Sequence, residues 1–170
     1  MKAYDDAAYR FYKALQLKCL PLNAWDIYGL YFDTLCGNYE DIVSLQRLSE
    51  VNGWSHSASF REALLTKGQI IIVTDTALKI VHASHNIILM NGYRPDEVLG
   101  KNPKMFQGAE TSKKTTGEIR KAIREELPFE AVIRNYRKDG TAYNCLLKGE
   151  PIFDTKGKLV NFIAYEKEVA

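Results

Sequence analysis

The chain has 170 residues, of which 46% are hydrophobic and 26% charged, and its formal net charge is +2. This length and balance fit one globular domain with a substantial extension, and no apolar run approaches the roughly 20 residues that a membrane-spanning helix needs. The opening MKAYDDAAYRFYKAL mixes acids and bases with apolar residues and lacks the apolar stretch of a signal peptide, so a cytoplasmic setting away from the membrane is expected.

Charge is unevenly divided. Residues 1–65 carry 6 Lys+Arg and 8 Asp+Glu, a net −2, whereas residues 66–170 carry 17 and 13, a net +4. Neither half is basic enough to indicate nucleic-acid binding. Cys19, Cys36 and Cys145 are far apart and in no metal-binding spacing, which reads as three reduced thiols.

In chain order, residues 1–65 predict a helical region. Tyr4, Ala7, Ala8, Phe11 and Leu15 recur at helical spacing, and Pro21 interrupts them. Asn23 can cap a second helix through Trp25, Tyr28, Tyr31 and Leu35, which Gly37-Asn38 should end. Ile42, Leu45, Leu48 and Val51 predict a third helix, closed by Asn52-Gly53, and Ser57 can cap a last one through Phe60 and Leu64. Residues 45–61 superficially resemble a helix-turn-helix, but the second helix offers few basic or amide side chains for phosphates and base edges, so packing or dimerisation is the better reading.

After Gly68 the period changes. Residues 69–75 are β-branched and bounded by turn residues, a strand, and 79–82 make a second. Short helices are expected at 85–91, stopped by Gly92, and from Pro95 to Gly100, with a longer one over 111–125. Strands follow at 128–138, 142–153 and 158–167, joined by Asp139-Gly140 and by DTKG at 154–157. This order predicts an α+β fold with a five-stranded antiparallel sheet, helices on one face and an N-terminal helical extension. One sheet face takes Phe129, Ala131, Ile133, Asn135, Tyr143, Cys145, Leu147, Gly149, Phe162, Ala164 and Glu166; the other takes Val132, Tyr136, Leu146, Ile163 and Tyr165. Both faces are substantially apolar, so both need cover. The helices between the strands can cover one; the N-terminal helices, a second copy of the chain, or both must cover the other.

The segment IVHASHNIILMNGY (80–93) followed by RPDEVLGK (94–101) resembles the strand-helix-GYxxxExxG punctuation of the PAS family, and NYRKDGT (135–141), PIFD (151–154) and GKLVNFI (157–163) resemble its closing strands. The resemblance runs over residues 69–167, making 66–170 the PAS sensory domain. GKNPKMFQGAET (100–111) is similar to the GRNCRFLQGPET box of LOV domains, the flavin-binding blue-light branch. That resemblance implies that Asn102, Gln107, Arg120 and Asn135 match positions touching a flavin (FMN or FAD) or its ribityl phosphate. Lys104 stands for a phosphate-binding arginine, Cys145 for a ring-facing asparagine and Glu166 for a ring-facing glutamine. The reactive thiol position falls on Pro103, so no light-driven adduct is expected. Haem ligation from the long helix is not expected either, because His56, His82 and His85 all lie outside it. His85 is expected to pack or bond locally near its helix start.

Lys101, Lys104, Lys113, Lys114, Arg120, Lys121 and Arg124 cluster around the long helix and read as a solvated face. With no nucleophile–base pair, metal cluster or phosphate loop in the sequence, an enzyme is not expected. The expectation is a signalling sensor that takes a small ligand or a partner in the cleft between sheet and helices, relays it through the N-terminal helices, and dimerises through them and the outer sheet face. Its output is a separate signalling protein or the rest of a larger sensor. The alternatives are a ligand-free PAS dimerisation module and an adduct-free flavin binder. A void lined by Asn135, Cys145 and Glu166 would favour sensing over scaffolding.

Overall fold

The computed structural model describes the backbone of residues 22–55 and 59–170, with side chains from residue 34 onward outside 56–58. Met1–Leu35 and Cys36–Ala170 are two compact units; the second holds everything below except the start of the first helix. The predicted helix through Tyr4 to Leu15, Pro21 and the Ser57 cap lie outside the described residues.

The strands are β1 (Ile70–Asp75), β2 (Ile80–Ala83), β3 (Phe129–Tyr136), β4 (Ala142–Phe153) and β5 (Leu159–Val169). They pair antiparallel in the order β2-β1-β5-β4-β3, the five-stranded sheet expected. Between β2 and β3 come α2 (Ile87–Asn91), α3 (Pro95–Val98), a 3₁₀ turn (Pro103–Phe106) and α4 (Lys113–Arg124). Ser112 caps α4 by accepting from Thr115 N–H at 3.2 Å, as its place before the helix suggests.

The N-terminal side departs from expectation. The predicted break at Gly37-Asn38 does not occur; α1 runs unbroken over Leu22–Val51. Gly37 serves contact rather than termination. A Cβ there would lie 2.5 Å from the His85 imidazole, so only glycine lets that ring pack against the helix backbone.

Strand alternation divides the core in two. Ile70, Ile72, Ile133, Tyr143 and Cys145 face α2, α3 and the 3₁₀ turn, packing with Ile87, Met90, Val98 and Phe106. Ile71, Val73, Ile152 and Ile163 face the other way, against Ile42 and Leu45 of α1 and Trp54, Phe60, Ala63 and Leu64 beyond it. Burying each large apolar side chain in these clusters contributes about 1.5–3 kcal/mol. The outer face is thus covered in part by α1, one of the covers the alternation called for. One polar residue secures it. Asn161, 2% exposed, accepts from Asn52 Nδ2 at 2.9 Å and Trp54 Nε1 at 3.0 Å, and donates to the Thr74 carbonyl at 3.0 Å.

Candidate functional site

One row across the inner sheet face reads Phe129–Gly149–Ala164–Ile72, with each residue opposite the next on the adjoining strand. The two small residues in the middle leave a hollow beneath α4. Gly149 has to be small, because a Cβ would run into the Phe129 ring. The hollow continues into a cleft of about 330 Å³, within the range of small-molecule sites. Its walls are mostly apolar: Ile72, Leu78, Ile119, Ile123, Phe129, Leu147 and Phe162.

The polar lining comes from six residues, one of them Thr116 on α4. Asn102, Lys104, Gln107 and Arg120 stand on the 3₁₀ turn and α4, and Thr74 stands on β1. Asn102 Oδ1 accepts from Lys104 N–H at 3.0 Å, capping the turn that presents Lys104. Lys104 and Arg120 are exposed cations and form no ion pair among the described residues. Thr74 is buried, yet its hydroxyl has no hydrogen-bond partner among the described residues. An orphaned buried hydroxyl costs about 1–3 kcal/mol, which a bound polar atom would recover. Leu78 lies in the left-handed region at φ 60, a conformation that costs a non-glycine residue about 1–2 kcal/mol and clusters at functional sites.

Asn135, Cys145 and Glu166 are placed elsewhere. All three are buried on the inner face, but they do not line the cleft; Leu147 stands between Glu166 and β3 in the next row. No single void is lined by all three: Cys145 packs among Ile70, Met90, Ile133 and Tyr143, while Glu166 borders a separate hollow with Ile70, Asn86 and Met90. Among the described residues, Glu166 has a single weak partner, Cys145 Sγ at 3.7 Å from Oε2. Burial pushes its carboxyl up to about 7 against the opposing pull of that thiol. Burial and then the Glu166 carboxylate push the Cys145 thiol up, so it is an inert one. Nearby, Asn91 Nδ2, Asn135 Oδ1 and the Tyr143 hydroxyl have no hydrogen-bond partner among the described residues. Both amides lie close enough to Tyr143 to oppose the rise that burial causes in its pKa, without reaching hydrogen-bond geometry.

These placements test a flavin directly. The rim residues Asn102, Lys104, Gln107 and Arg120 suit a polar or anionic tail. The ring-facing positions do not suit a flavin edge, since they lie outside the cleft and two of the three carry a thiol and a carboxyl. The group does not fit this packing.

Four of the site residues singled out in the sequence line the cleft, and the rest of its wall was not anticipated. Leu78 gave no signal, because its strained backbone depends on the β1–β2 connection. Thr74 lay in a strand that read as uniformly buried. His85 was expected to bond locally; instead it meets Asp41, 44 residues away in sequence.

Residues 68–169 match the PAS domain family, and the chain belongs to it. Within that family, it is 35% identical over 117 residues to Phototropin-2 of Oryza sativa subsp. japonica, covering 67% of this chain and 13% of that protein. It is also 35% identical over 102 residues to a blue-light photoreceptor of Listeria monocytogenes, covering 58% of this chain and 40% of that one. Among solved structures, the dark structure of the blue-light photoreceptor Aureochrome1 LOV superposes with a TM-score of 0.61 at 32% identity, over 68% of this chain and 86% of that one. The chain therefore spans less than half the length of these curated relatives. Among the described residues, no helix is long and apolar enough to cross a membrane.

Proposed function

We propose that this PAS domain is the sensory part of a signalling protein and binds a small, largely apolar molecule with a polar or anionic end in the cleft. The observation that carries this reading is the orphaned Thr74 hydroxyl in a mostly apolar wall. Lys104 and Arg120 at the rim would meet the anionic end, and occupancy would bias the placement of α1 by favouring one of two arrangements. No cysteine is among the lining residues, which supports reversible binding without a thiol adduct. The partly exposed apolar residues Val132 and Leu146 on the outer face support dimerisation there and through α1, in a cytoplasmic setting, with a separate signalling protein as the recipient.

The test is an absorbance spectrum of the protein purified without added cofactor, followed by native mass spectrometry. A flat spectrum with a co-purifying mass of a few hundred daltons is the expected result. A structured flavin band would overturn the fit argument above. Bare protein mass with no ligand would favour a dimerisation module.

A further inference from the structure

Away from the cleft, one cluster of titratable groups joins α1 to the sheet. Asp41 on α1 is buried, 8% exposed. Its Oδ2 accepts from the backbone N–H of His85 at 2.8 Å and lies 2.7 Å from His85 Nδ1. Its Oδ1 stands 3.6 Å from His82 Nε2, beyond hydrogen-bond range. His82 Nε2 is buried and has no hydrogen-bond partner among the described residues. The carboxylate facing this imidazole comes from α1 and is itself held by His85 from the turn before α2; on β1, Val73 lies opposite and does not titrate. Asp41 is the charge that acts on it.

We propose that His82 makes the docking of the Cys36–Val51 part of α1 sensitive to proton concentration, with a neutral imidazole holding the helix and a proton on Nε2 loosening it. Two contacts from His85 at 2.7–2.8 Å already engage the Asp41 carboxylate. A charge on His82 would be buried with only Asp41 Oδ1, 3.6 Å away, to offset it, and burying a weakly paired charge is costly. Consistent with this, burial outweighs Asp41 and holds the His82 pKa below its ordinary 6.5. The undocked or unfolded chain therefore takes up the proton first. The stabilisation is fully present above pH 6.5 and is lost as pH falls through the depressed folded-state value. The far end of this helix segment is held by Asn161, a neutral amide network that does not titrate in this range. The two attachments differ in kind: one is fixed, the other proton-dependent.

This inference takes from the proposed function only the role of α1 as output, and it adds an input independent of what occupies the cleft. The test is hydrogen–deuterium exchange on the full chain at about pH 7.5 and about pH 5.5, corrected for intrinsic rates, with His82→Gln beside the wild type. In the wild type, peptides over 36–51 should lose protection on acidification by about threefold or more, while β4 and β5 peptides lose none, because Glu166 on β5 takes up its proton over the same interval. In His82→Gln that response should vanish. An equal acid response in the variant, or none over 36–51 in the wild type, would overturn the proposal. Should the variant not fold, the His82 imidazole resonances of the wild type decide: a midpoint below 6.5 is expected, and one at or above it overturns the idea. No ligand enters these readouts, so a protein that binds nothing in its cleft can still pass.

Discussion

The two faces of the sheet are covered by different means. On the inner face, elements that follow one another in sequence between β2 and β3 fold back over the strands, and small residues at 149 and 164 leave a hollow among them. On the outer face, the Cys36–Val51 part of α1 lies against Ile71, Val73, Ile152 and Ile163, tied beyond its C-terminal end by Asn161 and nearer its start by Asp41. The inner side keeps space and unpartnered polar atoms at the cost of stability. The outer side is closed over Ile71, Val73, Ile152 and Ile163 by apolar packing and the Asn161 hydrogen bonds. Even so, Asn38 Oδ1 and His82 Nε2 stay unpartnered among the described residues, and a groove of about 500 Å³ opens beside Ile42, Trp54 and Phe60. Under the proposed function, a ligand would act first on the inner face, and the outer face would carry the consequence.

The largest effect should come from the inner core away from the cleft. Phe106, 1% exposed, stacks edge-on against Tyr93 with ring centroids 5.7 Å apart. Phe106→Ala should lower unfolding free energy by about 4 kcal/mol in a denaturant titration. A loss under about 1 kcal/mol would mean that the inner layer is not the packed structure described here.

On the outer side, Asn161→Ala removes three hydrogen bonds and leaves the Trp54 indole N–H and the Thr74 carbonyl without their partner. The expected cost is about 2 kcal/mol, with faster amide exchange at the C-terminal end of α1 ahead of the sheet. If helix and sheet exchange rise together, the two faces are one cooperative unit and the contrast between them fails.

Glu166 tests the electrostatic side of the comparison. Its carboxyl titrates at about 7 in the folded state against 4.5 for an ordinary glutamate. The folded protein holds a proton that the unfolded chain has released, so this stabilisation is complete below pH 4.5 and lost as pH rises through about 7. The stability difference between wild type and Glu166→Gln should therefore shift against the wild type as pH rises across that window, measured by melting temperature. A constant difference would show that the carboxylate is solvated or paired. The smallest effect on stability is expected in the hollow itself. Ala164→Leu should fill it and change stability by less than about 1.5 kcal/mol, while abolishing any co-purifying ligand mass. Retained ligand would place binding elsewhere.

Local pattern determined a good deal of this protein. The β-branched run at 70–73, the alternation of β3 to β5 and the turn residues between them dictate strands whose two faces are both apolar, because side chains alternate across a pleated strand whatever surrounds it. The same pattern put Asn135, Cys145 and Glu166 on the inner face, and the resemblance of residues 100–111 pointed to three residues that line the cleft, Asn102, Lys104 and Gln107. Tertiary structure decided the remainder. Gly37-Asn38 reads locally as a helix stop, but packing against His85 gives the glycine another use, and propensity is a weak prior when a neighbour supplies the stabilisation. Where the hollow lies depends on the register that brings Gly149 opposite both Phe129 and Ala164. The pairing of Asp41 with His82 and His85 joins residues more than 40 positions apart. Such contacts depend on how elements dock in space, and no local period encodes them.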